Sequence, residues 1–313
     1  MKSPADKSTR KRKSGCRLLG CSALILAFIP ICLLSFAWMW IQLRPQPKPL
    51  NQALYEGITY EREIRSEPRP MVIHTLTVDT KAPGISFLVT PGDTDETLPL
   101  RARTTSQFLS EFDLQIAVNG DGFEPWYSRG FFSYYPHKGD PVAPIGFAAS
   151  KGAIYSQETD DEPTLYISRT DKARFNSPIG KVNNAISGNL MLVVQGKPVI
   201  DSIKASVTQG DIPQPRTALA LDKAGRRLII IVIDGRQPNY SQGATLTELA
   251  EILISKGGHF GMNMDGGGSS TLVKSGAAGL PALLNSPIHQ NIPLRQRPVG
   301  NHLGIYATLE ADH

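Results

Sequence analysis

The chain has 313 residues, 33 Lys and Arg against 28 Asp and Glu, and a formal charge of +5. The excess is local: residues 1–44 hold eight basic side chains and one acid, which leaves 25 basic against 27 acidic residues beyond them. The slightly acidic remainder excludes nucleic-acid binding driven by a basic surface. All three cysteines (Cys16, Cys21, Cys32) lie in or beside the N-terminal apolar stretch, so the remainder has no disulfide staple, Cys-ligated zinc or Cys nucleophile.

Residues 1–17 read as a basic cytoplasmic tail. Residues 18–43 contain no charged side chain. As a helix they would be about 39 Å long, against roughly 30 Å of hydrocarbon. Pro30 is tolerated in membrane helices, and Trp38 and Trp40 stand where interfacial aromatics belong. The basic block in front keeps the N-terminus cytoplasmic and places the main domain extracytoplasmic, in a periplasm, at a cell surface or in a lumen. A cleavable signal peptide is the competing reading; the length of the span and the lack of an A-x-A site favour a single-pass signal-anchor. Residues 44–54 are Pro-rich and are expected to be an extended spacer. The folded domain is then residues 55–313, large enough for a full core.

Within it, strands are expected over 71–78, 85–89, 114–118, 145–148, 165–168, 190–195, 228–233, 261–264 and 302–308, with a short helix over 104–112. The 228–233 run (LIIIVI) is continuously apolar and β-branched, so it should be a central strand buried on both faces. Thr245 and Glu248 form a capping box. Leu246, Leu249, Ala250 and Leu253 make one helical stripe that Gly257 and Gly258 terminate. The expected class is α+β: strand-rich mixed sheets with a few packed helices, preceded by the transmembrane helix.

The densest chemistry lies in Asp265-Gly266-Gly267-Gly268-Ser269-Ser270-Thr271, where an acid precedes three glycines and three hydroxyls come after them. Such a turn can cradle an anion on successive N–H groups, and the same composition also suits a hairpin turn. A second cluster, Asn119-Gly120-Asp121-Gly122-Phe123-Glu124-Pro125-Trp126, puts an amide and two acids at a strand end. Seven aromatics between Phe123 and Tyr135 fit either a sugar-stacking platform or a locally packed loop. Pro215-Arg216-Thr217, Asp234-Gly235-Arg236 and Arg297-Pro298-Val299-Gly300-Asn301 offer further charged positions. There is no P-loop, no G-x-S-x-G elbow and no H-E-x-x-H.

In this order the segments resemble the phosphodiester glycosidase family. The resemblance is carried by Tyr55-Glu56-Gly57, Ala117 to Phe123, Ile186-Ser187-Gly188-Asn189, Pro215-Arg216-Thr217-Ala218, Val232 to Gly235, Asn263 to Ser270 and Arg297 to Gly304, and it spans roughly 55–310. It implies a sugar–phosphodiester or polysaccharide substrate in an envelope or lumen. The expected activity is a membrane-anchored hydrolase cleaving the glycosidic bond of a sugar-1-phosphodiester or related envelope glycan. The alternative is a non-catalytic glycan-binding protein in exopolysaccharide or cell-envelope assembly.

Cleavage at an anomeric carbon uses paired carboxyl groups. Asp265 is the first candidate and Asp121 the second, with Asp234 and Glu124 in reserve. Arg216, Arg297 and the amides of Gly267, Gly268 and Ser269 are expected on the phosphate. Asn119 and Ser270 are expected on sugar hydroxyls, Trp126 on the sugar face, and Asn301 among the substrate-binding residues. No cofactor is required by this chemistry; a divalent cation, Mg²⁺ or Ca²⁺, shared by Asp121 and Asp265 is an open alternative.

Overall fold

The computed structural model describes residues 43–93, 97–130, 132–157, 162–199 and 210–309, together with 29, 32–36 and 38–40 of the N-terminal stretch. The basic tail and most of the expected membrane span lie outside the described residues; those described within 18–43 are helical. Among the described residues no helix is long and apolar enough to cross a membrane. The chain divides into two compact units, Met1–Arg44 and Pro45–His313. Among the described residues, the second unit holds all the sheets.

Its largest sheet has eight strands, in spatial order Leu50–Tyr55, Ile58–Arg65, Met71–Asp79, Arg227–Ile233, Arg216–Leu221, Phe260–Asn263, Leu190–Val194 and Lys197–Pro198. A five-stranded sheet runs Pro281–Leu283, Leu272–Ser275, Ile116–Asn119, His302–Tyr306, Ser86–Val89. A third, also five-stranded, runs Ala153–Ser156, Ala148–Ser150, Asn184–Ser187, Thr164–Ile167, Ala173–Phe175.

The apolar run at 228–233 is explained by what covers its two faces. Leu228, Ile230 and Val232 enter the main core, where they share a cluster with Ile116, Val118, Leu303 and Ile305 of the second sheet and Leu165, Ile167 and Ile186 of the third. Ile229, Ile231 and Ile233 alternate to the other face and pack with Leu246, Leu249, Ala250 and Leu253 of the helix Leu246–Ser255. The second sheet repeats the plan: Leu88, Ala117 and Val273 face outward onto Phe108 and Leu109 of the helix Thr105–Glu111. The layers are therefore helix, sheet, shared core, sheets, helix. Both of these helices are closed at the N-terminus by a reciprocal capping box: Thr245 with Glu248, as expected from the sequence, and Thr104 with Gln107, which only the structure brings out.

Two expectations need correction. The stretch 44–54 is not all spacer. Residues 50–54 belong to an edge strand that pairs with Ile58–Arg65, and Gln46 Nε2 donates to Tyr240 O at 3.1 Å, so the packed unit starts before residue 55. Nor does a strand cover 145–148. Ile145 is half-exposed in a loop after Pro141–Pro144, and the strand is Ala148–Ser150, because the pairing partner there is Ala185 opposite Ala149.

One crossing between the first two sheets carries the triple glycine. Strand Phe260–Asn263 lies in the first sheet and Leu272–Ser275 in the second, so the chain changes sheets through 264–271. Asn119, Arg216 and Asp234 all emerge at the same end as this crossover: Arg216 pairs opposite Ile233, Ala218 opposite Asn263, and Leu272 opposite Val118.

Truncation of the doubly covered central strand should be costly. Ile230→Ala removes a side chain with no exposure and should lower unfolding free energy by about 2–5 kcal/mol, read as a drop in urea midpoint. Ile154→Ala, at a position 50 % exposed, should move it by less than about 0.5 kcal/mol.

Candidate active site

The triple-glycine segment is the crossover itself. Gly267 has φ +59°, and a Cβ there would stand 2.9 Å from Nη2 of Arg236; a Cβ on Gly268 would stand 2.5 Å from Nη2 of Arg297. The missing side chains thus admit two guanidinium groups against the bent backbone. Gly267–Ser269 forms a single 3₁₀ turn.

Asp265 precedes this turn, with its N–H donating to Gly120 O at 3.1 Å. Its Oδ2 accepts from Ser269 Oγ at 2.5 Å, and Ser269 Oγ accepts from Arg297 Nη1 at 3.2 Å. Desolvation raises the Asp265 pKa, opposed by the charge of Arg297, the Ser269 hydroxyl, the Gly266 N–H and Arg236. The Arg297 guanidinium lies 5.1 Å from the centre of the Trp126 ring, a cation–π contact that leaves the indole half-exposed. Gly122, Phe123, Trp126, Ile145, Asp265 and Arg297 enclose a cavity of about 200 Å³.

Asp121 sits behind this cavity. Its Oδ1 accepts from Gly122 N at 2.7 Å and its Oδ2 from Gly146 N at 2.8 Å, while its own N–H donates to Asn301 Oδ1 at 2.8 Å. Burial, then the charge of Glu162, outweighs the two backbone donors; Asp265 adds to the rise, and the Asp121 pKa stands at about 7. Asp121 and Asp265 are therefore electrostatically coupled. Glu162, which lies against Gly146, belongs to the same acidic group. Sequence reasoning missed it: it closes the acidic run Asp160-Asp161-Glu162 before Pro163, with no glycine beside it to mark it as part of a site.

The other candidates divide by position. Asn119 is buried and fully engaged: Nδ2 donates to Asp265 O at 2.7 Å, and Oδ1 accepts from Thr217 Oγ1 at 2.9 Å and Thr271 N at 3.1 Å. It ties both sheets to the crossover in place of presenting an amide to a sugar. Asn301 likewise holds the Asp121 backbone. Asp234 is withdrawn into a buried network: Oδ2 meets His74 Nε2 at 2.9 Å, and Oδ1 accepts from Ser286 N at 2.8 Å and Asn285 Nδ2 at 3.1 Å. It is 1 % exposed and does not line the Asp265 cavity.

Arg216 donates through Nε to Ala244 O and through Nη2 to Ile212 O, both at 3.0 Å. Its desolvation, with the like charge of Arg236, brings its pKa down to about 10. Arg236, which the site expectation omitted, donates to Gln214 Oε1 at 2.7 Å and reaches Gly267. Its pKa is lowered by desolvation and by Arg297. The signal for it was its place directly after Asp234-Gly235 at the end of the central strand. Ser270 is buried beneath the turn, and Glu124 is exposed on a short strand beside Trp126. Of the aromatic segment, Phe123 joins the packed cluster with Leu100, Val142 and Val299, whereas Trp126 and Phe132 are exposed; Phe131 lies outside the described residues. The segment is thus part local core and part exposed surface. Behind Arg297, His289 Nδ1 accepts from its Nε at 3.5 Å. Burial and the charges of Arg297 and Arg295 lower the His289 pKa to about 4, so the ring is neutral at physiological pH. Among the described residues no group of three or more His, Cys, Asp or Glu is arranged to hold a metal ion.

A strand-rich α+β domain with a desolvated carboxyl group among guanidiniums at a sheet-to-sheet crossover is the class that fold and site define. The chain belongs to the phosphodiester glycosidase family, whose model matches residues 85–306. The fold is shared with the catalytic domain of zebrafish N-acetylglucosamine-1-phosphodiester alpha-N-acetylglucosaminidase, described as auto-inhibited by its pro-peptide (21 % identity, TM-score 0.53, covering 87 % of this chain and 93 % of that one). It is shared too with a hypothetical protein from Synechocystis (16 %, TM-score 0.55, 83 % of this chain). The chain covers 64 % of that protein's length. A putative exported protein from Burkholderia pseudomallei is a third relative in fold (15 %, TM-score 0.52, 75 % and 74 %). No curated protein matches the chain.

Two substitutions test the construction. Asn119→Ala leaves a buried carbonyl and N–H without their amide and should cost about 2–4 kcal/mol in a urea melt. Gly268→Ala forces the Arg297 guanidinium away. It should cut turnover at least about tenfold, the equivalent of ~1.4 kcal/mol in the barrier, with a far smaller effect on the melting temperature than Asn119→Ala.

Proposed function

We propose that the protein is a hydrolase that cleaves the glycosidic bond of a sugar-1-phosphodiester or a related envelope glycan, held at a membrane by its N-terminal apolar span with the main domain extracytoplasmic. The observation that carries the reading is the Asp265 carboxyl group at the wall of a small cavity whose other polar lining group is Arg297.

The sugar ring occupies the cavity and stacks on Trp126, and the phosphodiester lies against Arg297 and Arg236. The bond between the anomeric carbon and the bridging oxygen breaks. That oxygen leaves with the phosphate, the guanidiniums stabilise its charge, and a water oxygen ends on the anomeric carbon. A phosphate monoester is a good leaving group, so charge stabilisation outweighs protonation of the bridging oxygen. Asp265, whose pKa burial raises against the opposing charges of Arg297 and Arg236, acts as the base or nucleophile. Asp121 holds a proton up to about pH 7 because burial and Glu162 disfavour a second charge. It thereby limits the negative charge facing an anionic substrate. Glycan binding without turnover is the second reading, supported by the exposed Trp126 and Phe132.

Turnover of a panel of sugar-1-phosphodiesters and nucleotide sugars by the full-length protein, with and without EDTA, tests the assignment. Asp265→Asn should reduce kcat by about 10³-fold or more while substrate still binds; retained turnover removes Asp265 from the chemistry. Equal binding by both forms with no turnover by either supports the binding protein. Because the folded pKa of Asp121 is raised, kcat/KM should fall as pH climbs through about 7, where that carboxyl ionises and repels the phosphate. A profile flat from pH 6 to 8.5 contradicts its role.

A further inference from the structure

The strands that deliver Arg216, Asp234 and Asp265 at one end carry a second cavity at the other. Arg216 and Leu221 are the two ends of one strand, so the cavity stands about 17 Å from the guanidinium cluster at ~3.4 Å per residue. Its volume is about 650 Å³, within the usual range for small-molecule sites.

Its floor is apolar. Leu221, Ala173 and Phe175 belong to the main core, and Phe260 packs against it, so the cavity is an open end of the space between the first and third sheets. Its rim is cationic: Lys81 from the turn after the strand Met71–Asp79, Lys172 and Arg174 from the third sheet's edge, and Lys223 from the hairpin turn. All four are exposed, and among the described residues none of them forms an ion pair within 4 Å, although the charge of Lys81 also acts on Asp79. Two acids also line the cavity. Asp222 is engaged by the hairpin, accepting Arg226 N at 2.8 Å and Arg227 N at 3.0 Å on Oδ1 and Arg227 Nε at 3.2 Å on Oδ2. Asp171, its pKa raised by burial, still sets one carboxyl group against the four cations. The nearby Arg226 is paired with Asp79, at 2.8 Å, and is not a rim group. The remaining field is positive over an apolar floor containing two phenylalanine rings.

We infer that this cavity is a second ligand site, separate from the carboxylate–guanidinium site, for a small phosphate monoester with a flat apolar body. The ring lies on Phe175 and Phe260, and the dianionic head is shared by Lys172, Arg174, Lys81 and Lys223. Enclosure by four chain segments selects a compact ligand, and four cations around one mouth select a charge above one.

The test is calorimetric titration of the full-length protein with 1-naphthyl phosphate, beside inorganic phosphate alone. Three forms are compared: the native sequence, Lys172→Glu with Arg174→Glu, and Arg297→Ala, which disables phosphate binding only at the carboxylate–guanidinium site. The inference expects saturable binding of 1-naphthyl phosphate that persists in Arg297→Ala and weakens at least tenfold in the double variant, with inorganic phosphate binding at least tenfold more weakly. Lys81→Glu with Lys223→Glu repeats the test from the other side of the rim and serves if the first pair fails to fold. Absence of saturable binding, loss of all binding in Arg297→Ala, or native-like affinity in the rim variants each overturns it. None of these outcomes depends on turnover, so the proposed hydrolase activity stands or falls separately.

Discussion

One contact governs the rest of the site: the Arg297 guanidinium laid on the Cα of Gly268 and joined to Asp265 through the Ser269 hydroxyl. A desolvated carboxyl group and a desolvated guanidinium are each expensive to bury alone, and each is tolerated here because the other is near. Their placement requires a backbone without side chains at the bend. It also requires a fixed crossover from one sheet to the next, which Asn119 supplies by bonding Asp265 O, Thr217 and Thr271 at once. The glycines matter here for the side chains they admit more than for an anion nest.

The charge balance around that contact favours an anion. Arg216, Arg236 and Arg297 each have a lowered pKa, from desolvation first, with mutual repulsion adding for Arg216 and Arg236. Opposite them Asp121, Asp265 and Glu162 form an acidic side on which Asp121 keeps a proton up to about pH 7. A phosphodiester adds one negative charge to the basic side, while the acidic side meets the sugar. The two halves of such a substrate thus meet opposite sides of one site.

Much of the scaffold was legible because its signals are local. The capping box at Thr245, the double-sided strand Arg227–Ile233 and the Gly257 stop each come from a few adjacent residues. Strand Leu50–Tyr55 was hidden by the prolines before it, because its reason to form is a pairing with Ile58–Arg65 that composition does not display. In the site, Asp265 and Asp121 were marked by the glycines beside them, and Arg297 by the Arg297-Pro298-Val299 segment that carries the family resemblance. Asp234 looked equivalent by the same strand-end criterion, yet His74, Asn285 and Ser286 enclose it. Asn119 looked like a sugar-binding amide, and only the fold shows that both ends of that amide are in use. Glu162 and Arg236 acquire meaning from contacts far along the chain.

A crystal structure of the full-length protein with a sugar-1-phosphonate, whose bridging carbon resists cleavage, tests the central claim most directly. The account predicts phosphonate oxygens within hydrogen-bond distance of the Arg297 guanidinium, the sugar ring on Trp126 and the anomeric carbon facing the Asp265 carboxyl group. A ligand seated away from the glycine bend, with Arg297 and Asp265 still holding only each other through Ser269, would contradict it.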